Sequence, residues 1–329
     1  MSNFLLRRIF LGLFIVFFGA MIVYGTIRSL PSSYVETVAR QRAANPASLR
    51  TYQEWLDELN KVYHLDSGII PGYFGWLKNA IRGDFGVSWM FNVPVTQKFK
   101  DVIPYSIALN LITFAVQILI SIPLGILAAR KQYSGVDYAI TVFALAGLSL
   151  PTFFLATLLK YVFSVKLGWF PLYGLTGRFH NQLDAVGQFF DIAKNMTLPI
   201  ITLMMLSIGG LMRYTRTNML EVLNSDYIRT ARAKGLSEKV VINKHAFRNT
   251  LIPLVSYMST LLPAMFGGSM ITETMYQIPG IGYISYGAMQ QGDIPFAMFY
   301  TTFLILLTQV SLLIADIMYA VVDPRVRVN

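Results

Sequence analysis

The sequence predicts an all-α, polytopic membrane protein with six transmembrane helices and a large extracytoplasmic loop after the first. Three observations carry this expectation. Hydrophobic residues make up 54% of the 329 positions and charged residues only 13%, a balance foreign to soluble domains. The apolar residues are gathered into runs long enough to cross a hydrocarbon core about 30 Å thick. A single strongly basic island, residues 224–253, interrupts those runs. The net charge of +10 could neutralise a nucleic-acid backbone, but it is spread over loops flanking apolar runs, so membrane topology accounts for it and no nucleic-acid partner is expected. With no cysteine there is neither a disulfide framework nor a thiolate metal site. His64, His180 and His245 stand apart from one another and form no H-E-x-x-H pair. No metal site and no catalytic residue is expected.

Residues 1–8 carry Arg7 and Arg8 and are read as a cytoplasmic N-terminus. The charge-free run 9–27, about 28 Å as a helix, is the first span. It exceeds the apolar region of about 7–15 residues of a signal peptide and leads into Arg28, Ser29, Leu30 and Pro31. Residues 28–102 form the extracytoplasmic loop, in which Trp55, Leu56 and Leu59 fall at helical spacing and Trp76 and Trp89 suit a stretch lying at headgroup depth. The second span, 103–129, ends at Arg130 and Lys131. Along one of its faces lie Asn110, Thr113, Gln117 and Ser121. Lipid cannot satisfy amides and hydroxyls, so this stripe either bonds to a neighbouring helix or lines a pathway.

The third span, 136–165, is interrupted at Pro151, where a kink is expected, and Lys160 can snorkel to the far interface. A loop with Trp169 and Pro171 leads to the fourth span, 197–212, which closes on Arg213 and Arg216. A cytoplasmic loop, 213–250, follows. The fifth span, 251–272, holds Pro253, Pro263, Gly267 and Gly268, suited to a bent helix in close contact with neighbours. Residues 273–295 form a second extracytoplasmic loop with no Lys or Arg. In the sixth span, 296–322, Thr302, Gln309 and Asp316 recur every seven residues. Thr302 and Gln309 join the second-span stripe of Asn110, Thr113, Gln117 and Ser121 as pathway-lining candidates. The tail 323–329 is basic and cytoplasmic. This arrangement, with both termini inside a cell membrane, puts the basic loops on the cytoplasmic side.

Within the basic island, Asn224, Ser225 or Asp226 can cap a helix in which Tyr227 and Ala231 share a face. Gly235 suits the left-handed residue that ends it, and Ser237 can begin the next helix. Arg229, Arg232, Lys234, Lys239, Lys244 and Arg248 outweigh Asp226 and Glu238.

The run R-T-A-R-A-K-G-L-S from Arg229 to Ser237, followed by H-A-F-R-N-T-L-I-P, resembles the EAA loop of the transmembrane subunits of ATP-binding-cassette importers, in the form found in the peptide and nickel branch. Arg229, Thr230 and Ala231 stand where the generic signature has Glu-Ala-Ala, four residues ahead of Gly235. The resemblance extends to G-D-F-G near residue 84, I-P-L-G-I-L-A-A-R, K-L-G-W-F-P, P-G-I-G-Y and the D-P-R tail. Leu30-Pro31-Ser32-Ser33 departs from the family's L-P-G-D-P.

The resemblance implies a type I importer permease fold working by alternating access. It further implies that Arg229, Thr230, Ala231, Arg232, Ala233, Lys234, Gly235, Leu236 and Ser237 couple the chain to an ATPase. The implied partners are a second homologous permease subunit, two ATP-binding-cassette ATPase subunits, an extracytoplasmic substrate-binding protein and membrane lipid. No cofactor is expected in this chain, which lacks G-x-x-x-x-G-K-[ST]; ATP and magnesium would be held by the ATPases. Di- or oligopeptides are the commonest cargo of the branch, which also moves glutathione, nickel chelates and oligosaccharides. The competing class is a stand-alone secondary transporter or channel. It would be expected to show an internal repeat and paired intramembrane charges, for which Asp316 is the lone candidate.

Overall fold

Inside a bilayer no water is present to satisfy a backbone amide, so a spanning segment must bond within itself. The computed structural model describes residues 2–29, 34–44, 50–62, 68–259, 261 and 269–322, and among them the regular structure is helical, with one isolated bridge between Val87 and Pro94. Among the described residues, four helices are long and apolar enough to cross a membrane: Leu6–Arg28, Val95–Arg130, Ala185–Leu223 and Ile294–Ile317. A bent pair, Gly135–Ser149 and Thr152–Lys166, gives a fifth crossing if counted as one span. The fifth span expected from sequence, 251–272, lies partly outside the described residues. The chain divides into two compact units.

The first unit comprises Met1–Pro104 and Gly280–Val310. Helix α1 (Ser2–Arg28) is followed by α2 (Tyr34–Ala43), α3 (Tyr52–Val62) and α4 (Ile69–Ala80). Tyr73 of α4 is fully buried against Ala20 and Tyr24 of α1, and its hydroxyl donates to the Phe17 carbonyl at 2.7 Å. Val35, Ala39, Leu59 and Trp89 make a second apolar cluster, so residues 28–102 carry a small helical core of their own. Arg42 and Arg50 flank the Trp55 ring at 4.9 and 5.0 Å, an arrangement that shields an aromatic face with cations. The buried Asp293 accepts from the Ser88 hydroxyl, from the Met90 amide at 3.1 Å and from the Phe296 amide at 3.2 Å. It thereby caps the first turn of the last long helix and fixes the G-D-F-G-V-S segment beside it.

The second unit comprises Tyr105–Pro279 and Ser311–Asn329. Helix α5 (Val95–Arg130) enters it from the first unit and is followed by α6 (Gly135–Ser149), α7 (Thr152–Leu159) and α8 (Ala185–Leu223). The kink expected at Pro151 is a bend of 105°. Leu150 is extended (φ −84°, ψ 130°) because the proline ring drives the preceding residue out of the helical region. A π-helical turn, Lys160–Lys166, extends α7. The Lys160 ammonium donates to the Met275 carbonyl at 2.6 Å and lies 5.5 Å from the Tyr276 ring centre. Helix α8 is capped by Asp184, whose carboxylate accepts from the Gly187 amide at 2.9 Å. At 39 residues it reaches about 58 Å, far beyond the 197–212 expected from hydropathy.

Close packing of α8 depends on missing side chains. A Cβ on Gly147 would come within 2.2 Å of the Met205 carbonyl oxygen, and one on Gly209 within 2.4 Å of the Ala144 carbonyl oxygen. A Cβ on Gly125 would meet the Met212 carbonyl and Thr215 Cβ at 2.7 Å. These glycines let backbones approach where lipid offers no hydrophobic drive. Asp137, almost wholly buried, takes a bidentate pair from Arg216, with both bonds at 2.7 Å.

Candidate functional site

Helix α8 ends at Leu223, and the chain turns into α9 (Asp226–Ala233), then Gly235, α10 (Glu238–Val240), a π-helical turn (Val241–Ala246) and α11 (Phe247–Ser259). Of the three candidate caps, Ser225 occupies the extended position before α9 (φ −74°, ψ 153°), but its hydroxyl donates back to the Val222 carbonyl at 2.6 Å and caps nothing. Gly235 has φ +74° with open space where a Cβ would be. It holds the left-handed conformation that glycine adopts without the clash other residues meet.

Burial of the hinge follows a three-residue spacing. Ile228 and Ala231 turn inward onto Met219, Val241, Ile242, Ala246 and Ala129. Tyr227 shares a helical side with Ala231 yet is 47% exposed, so the buried ridge is centred on Ile228. Among the nine motif residues Ala231 is buried, while Arg229, Thr230, Arg232, Ala233, Lys234, Gly235, Leu236 and Ser237 are exposed. The hinge is therefore an apolar underside supporting a basic surface.

Across the glycine turn, Arg232 clamps Glu238 with bonds of 2.9 and 3.2 Å. That hydrogen-bonded guanidinium holds the Glu238 carboxyl below its ordinary range, and the carboxylate raises Arg232 in return. Asp226 and Arg229 make a looser pair at 3.5 Å.

The α5 stripe meets α8. Gln117 donates to the Ser207 carbonyl at 3.0 Å and Ser121 to the Ile208 carbonyl at 3.2 Å. Thr113 bonds within its own helix, to the Leu109 carbonyl at 2.8 Å. Asn110 donates to the Ser106 carbonyl and accepts from the Ser269 hydroxyl at 2.7 Å. Fully buried Glu273 accepts from the Ser106 hydroxyl at 2.8 Å and the Ser269 amide at 3.0 Å, completing a buried network. Asn110, Thr113 and Gln117 also edge a cavity of about 260 Å³ that Ser207, Gly210 and Tyr257 help to line. Inter-helix bonding and cavity lining thus coexist on one stripe, with Ser121 wholly in the contact. Thr302 and Gln309 belong to the first unit. Gln309 packs at 3.6 Å from the position a Gly12 Cβ would take, and the buried Thr302 hydroxyl has no bonding partner among the described residues.

Sequence reasoning overlooked one face of α8. Ser207, Gly210, Tyr214 and Thr217 line hollows there, and their spacing of three and four was visible. It ran, however, past the expected end of the span at 212. Neither Tyr257 nor Glu273 gives any local signal of its neighbours.

Residues 121–328 match the family described as binding-protein-dependent transport system inner membrane component. The chain is 40% identical over 265 residues to the oligopeptide transport system permease protein AppB of Bacillus subtilis, covering 80% of this chain and 82% of that one. It is 33% identical to the oligopeptide transport system permease protein OppB of Salmonella typhimurium over 99% of this chain and the whole of that one. To the dipeptide transport system permease protein DppB of Alkalihalophilus pseudofirmus it is 31% identical, again over 99% of this chain and the whole of that one. With its apolar spanning helices and glycine-hinged basic loop, this multi-pass membrane protein belongs to the family of binding-protein-dependent transport system inner membrane components, among the peptide permeases of ATP-binding-cassette importers.

Proposed function

We propose that this chain is one of two permease subunits of an ATP-driven importer of di- or oligopeptides, supplying half of the pathway. Six spans with both termini in the cytoplasm put the hinge on the side where ATP is. Two ATPase subunits bind ATP and magnesium and dock on the surface from Arg229 to Ser237, while an extracytoplasmic binding protein delivers peptide. The observation that carries this reading is the construction of the hinge. Its exposed basic surface stands on an apolar cluster that includes Met219 of α8 and Val241, Ile242 and Ala246 ahead of α11. A push on the surface therefore reaches packed helices rather than a slack loop. Differential affinity of ATP for the closed ATPase pair drives the shift between inward and outward access. This chain needs no nucleotide site, consistent with its lack of a phosphate-binding loop. Peptide cargo is supported by the names of the relatives.

The test is reconstitution in proteoliposomes of the chain with a second permease, the ATPases and the binding protein. Peptide uptake should require ATP, and a photo-cross-linking residue in place of Lys234 should capture an ATPase subunit. Undiminished uptake without the ATPases would replace this reading with that of a stand-alone transporter.

A further inference from the structure

Two hollows in the second unit meet at one point. The cavity beside the α5 stripe is lined by Asn110, Thr113, Gln117, Ser207, Gly210 and Tyr257. Next along α8 lies a second hollow of about 420 Å³ lined by Gly210, Arg213, Tyr214, Thr217, Asn218 and Tyr257. Gly210 and Tyr257 belong to both. A Cβ on Gly210 would lie 2.9 Å from the Tyr257 hydroxyl, so this glycine leaves room for the end of the tyrosine side chain. There Tyr257 stacks on Tyr214, with ring centres 4.5 Å apart and planes within 18°. Both hollows offer amide, hydroxyl or guanidinium groups able to bond a peptide backbone or carboxylate, in the first among apolar side chains such as Phe114, Leu148 and Leu203, and Tyr257 borders both while Tyr214 borders the second.

We infer that the Tyr214–Tyr257 stack is a gate on the peptide pathway within this subunit, worked from the basic hinge through α11. The mechanical link is on one helix. At its hinge end α11 packs on α8 at Thr250, whose buried hydroxyl donates to the Ala246 carbonyl at 3.0 Å and lies 3.2 Å from the Met219 sulfur. Pro253 follows inside the helix, removing a backbone donor and leaving a joint. Tyr257 is one turn beyond that joint. Displacing the hinge therefore swings Tyr257 against Tyr214 on the longer, rigid α8. A stacked aromatic pair is a modest interaction, weak enough to break and re-form in each cycle, whereas an ion pair or buried network at this point would resist opening.

This inference rests on the proposed transport function, and the absence of cysteine from the chain makes it directly testable. In the reconstituted importer, the double variant Tyr214→Cys/Tyr257→Cys is treated with a short, reducible bis-thiol cross-linker. The initial rate of labelled tripeptide entry, which counts pumped and leaked peptide alike in this variant without its rings, should fall at least tenfold on cross-linking and return on reduction, while each single variant is unaffected by the reagent. Uptake within twofold of the untreated double variant, once cross-linking is complete, overturns the gate. As an independent arm, Tyr257→Ala should let preloaded peptide leak from the liposomes without ATP at least fivefold faster than the unaltered importer, and Tyr257→Phe should stay tight. A Tyr257→Ala importer that assembles fully and does not leak also overturns it. Assembly is read by recovery of all subunits after affinity purification, so loss of folding is separated from loss of gating. If the unaltered importer shows no ATP-dependent uptake, the transport reading fails, whereas normal uptake with no response to either arm removes the gate alone.

Discussion

At Gly235, backbone conformation and the proposed coupling role meet in one residue. Its φ of +74° is open to glycine, while the space around it is empty, so a substitution there acts through strain rather than crowding. Valine should introduce about 1–2 kcal/mol of left-handed strain, tilt the surface from Arg229 to Ser237 and reduce ATP-dependent peptide uptake at least tenfold, with membrane insertion intact. Asparagine, which tolerates this conformation, should keep more than half of the uptake. Equal activity of the two variants would remove the conformational argument. Across the same turn, the Arg232–Glu238 clamp responds to acid. Because the Glu238 carboxyl titrates below its ordinary value of 4.5, the clamp's contribution is complete above that pH and fades as pH falls through the lowered value. Both side chains are about half exposed, so the contribution is a few tenths of a kcal/mol. Amide-exchange protection of α9, corrected for intrinsic rates, should be flat from pH 7 to 5 and decline below 4.5, and Glu238→Gln should abolish that decline.

Helix α8 is organised by two opposed faces. One is packed through Gly125, Gly147 and Gly209 and secured by the Asp137–Arg216 pair; the other borders the hollows. Gly147→Ala sets a Cβ against the Met205 carbonyl and should cost about 1–3 kcal/mol by overpacking, lowering the unfolding temperature of the detergent-solubilised chain. Asp137→Asn leaves Arg216 without its carboxylate in a largely buried setting and should cost about 3 kcal/mol, read in the same melting experiment. Asp137 also accepts from the Tyr133 amide at 3.0 Å, so the variant should loosen the turn between α5 and α6 as well. The apolar stretch 197–212 lies inside α8, since apolar composition is a local property. The helix continues past that stretch at both ends, and beyond it Arg216 finds its partner in Asp137.

For the molecule as a whole, the expected division of labour is that the chain transmits force and other subunits hydrolyse nucleotide. The purified chain should bind no ATP at micromolar concentrations by equilibrium dialysis, and ATPase subunits reconstituted with it should hydrolyse ATP faster when the loaded binding protein is added. Tight ATP binding by the isolated chain would contradict that division.

Residues 229–237 were recognisable by themselves, since a glycine turn, a run of cations and a short amphipathic repeat are properties of neighbours in sequence. The apolar spans and the break at Pro151 were legible for the same reason, because lipid partitioning and proline geometry act locally. Only the tertiary structure decided that Ile228 rather than Tyr227 forms the underside of the hinge, that Lys160 points to the Met275 carbonyl, and that Glu273 closes a network with Ser106 and Ser269. The same holds for the Tyr257 hydroxyl lying beside Gly210. Those outcomes depend on which surfaces meet across tens of residues, and the spacing of residues along one helix carries no information about the face that a distant helix will present to it.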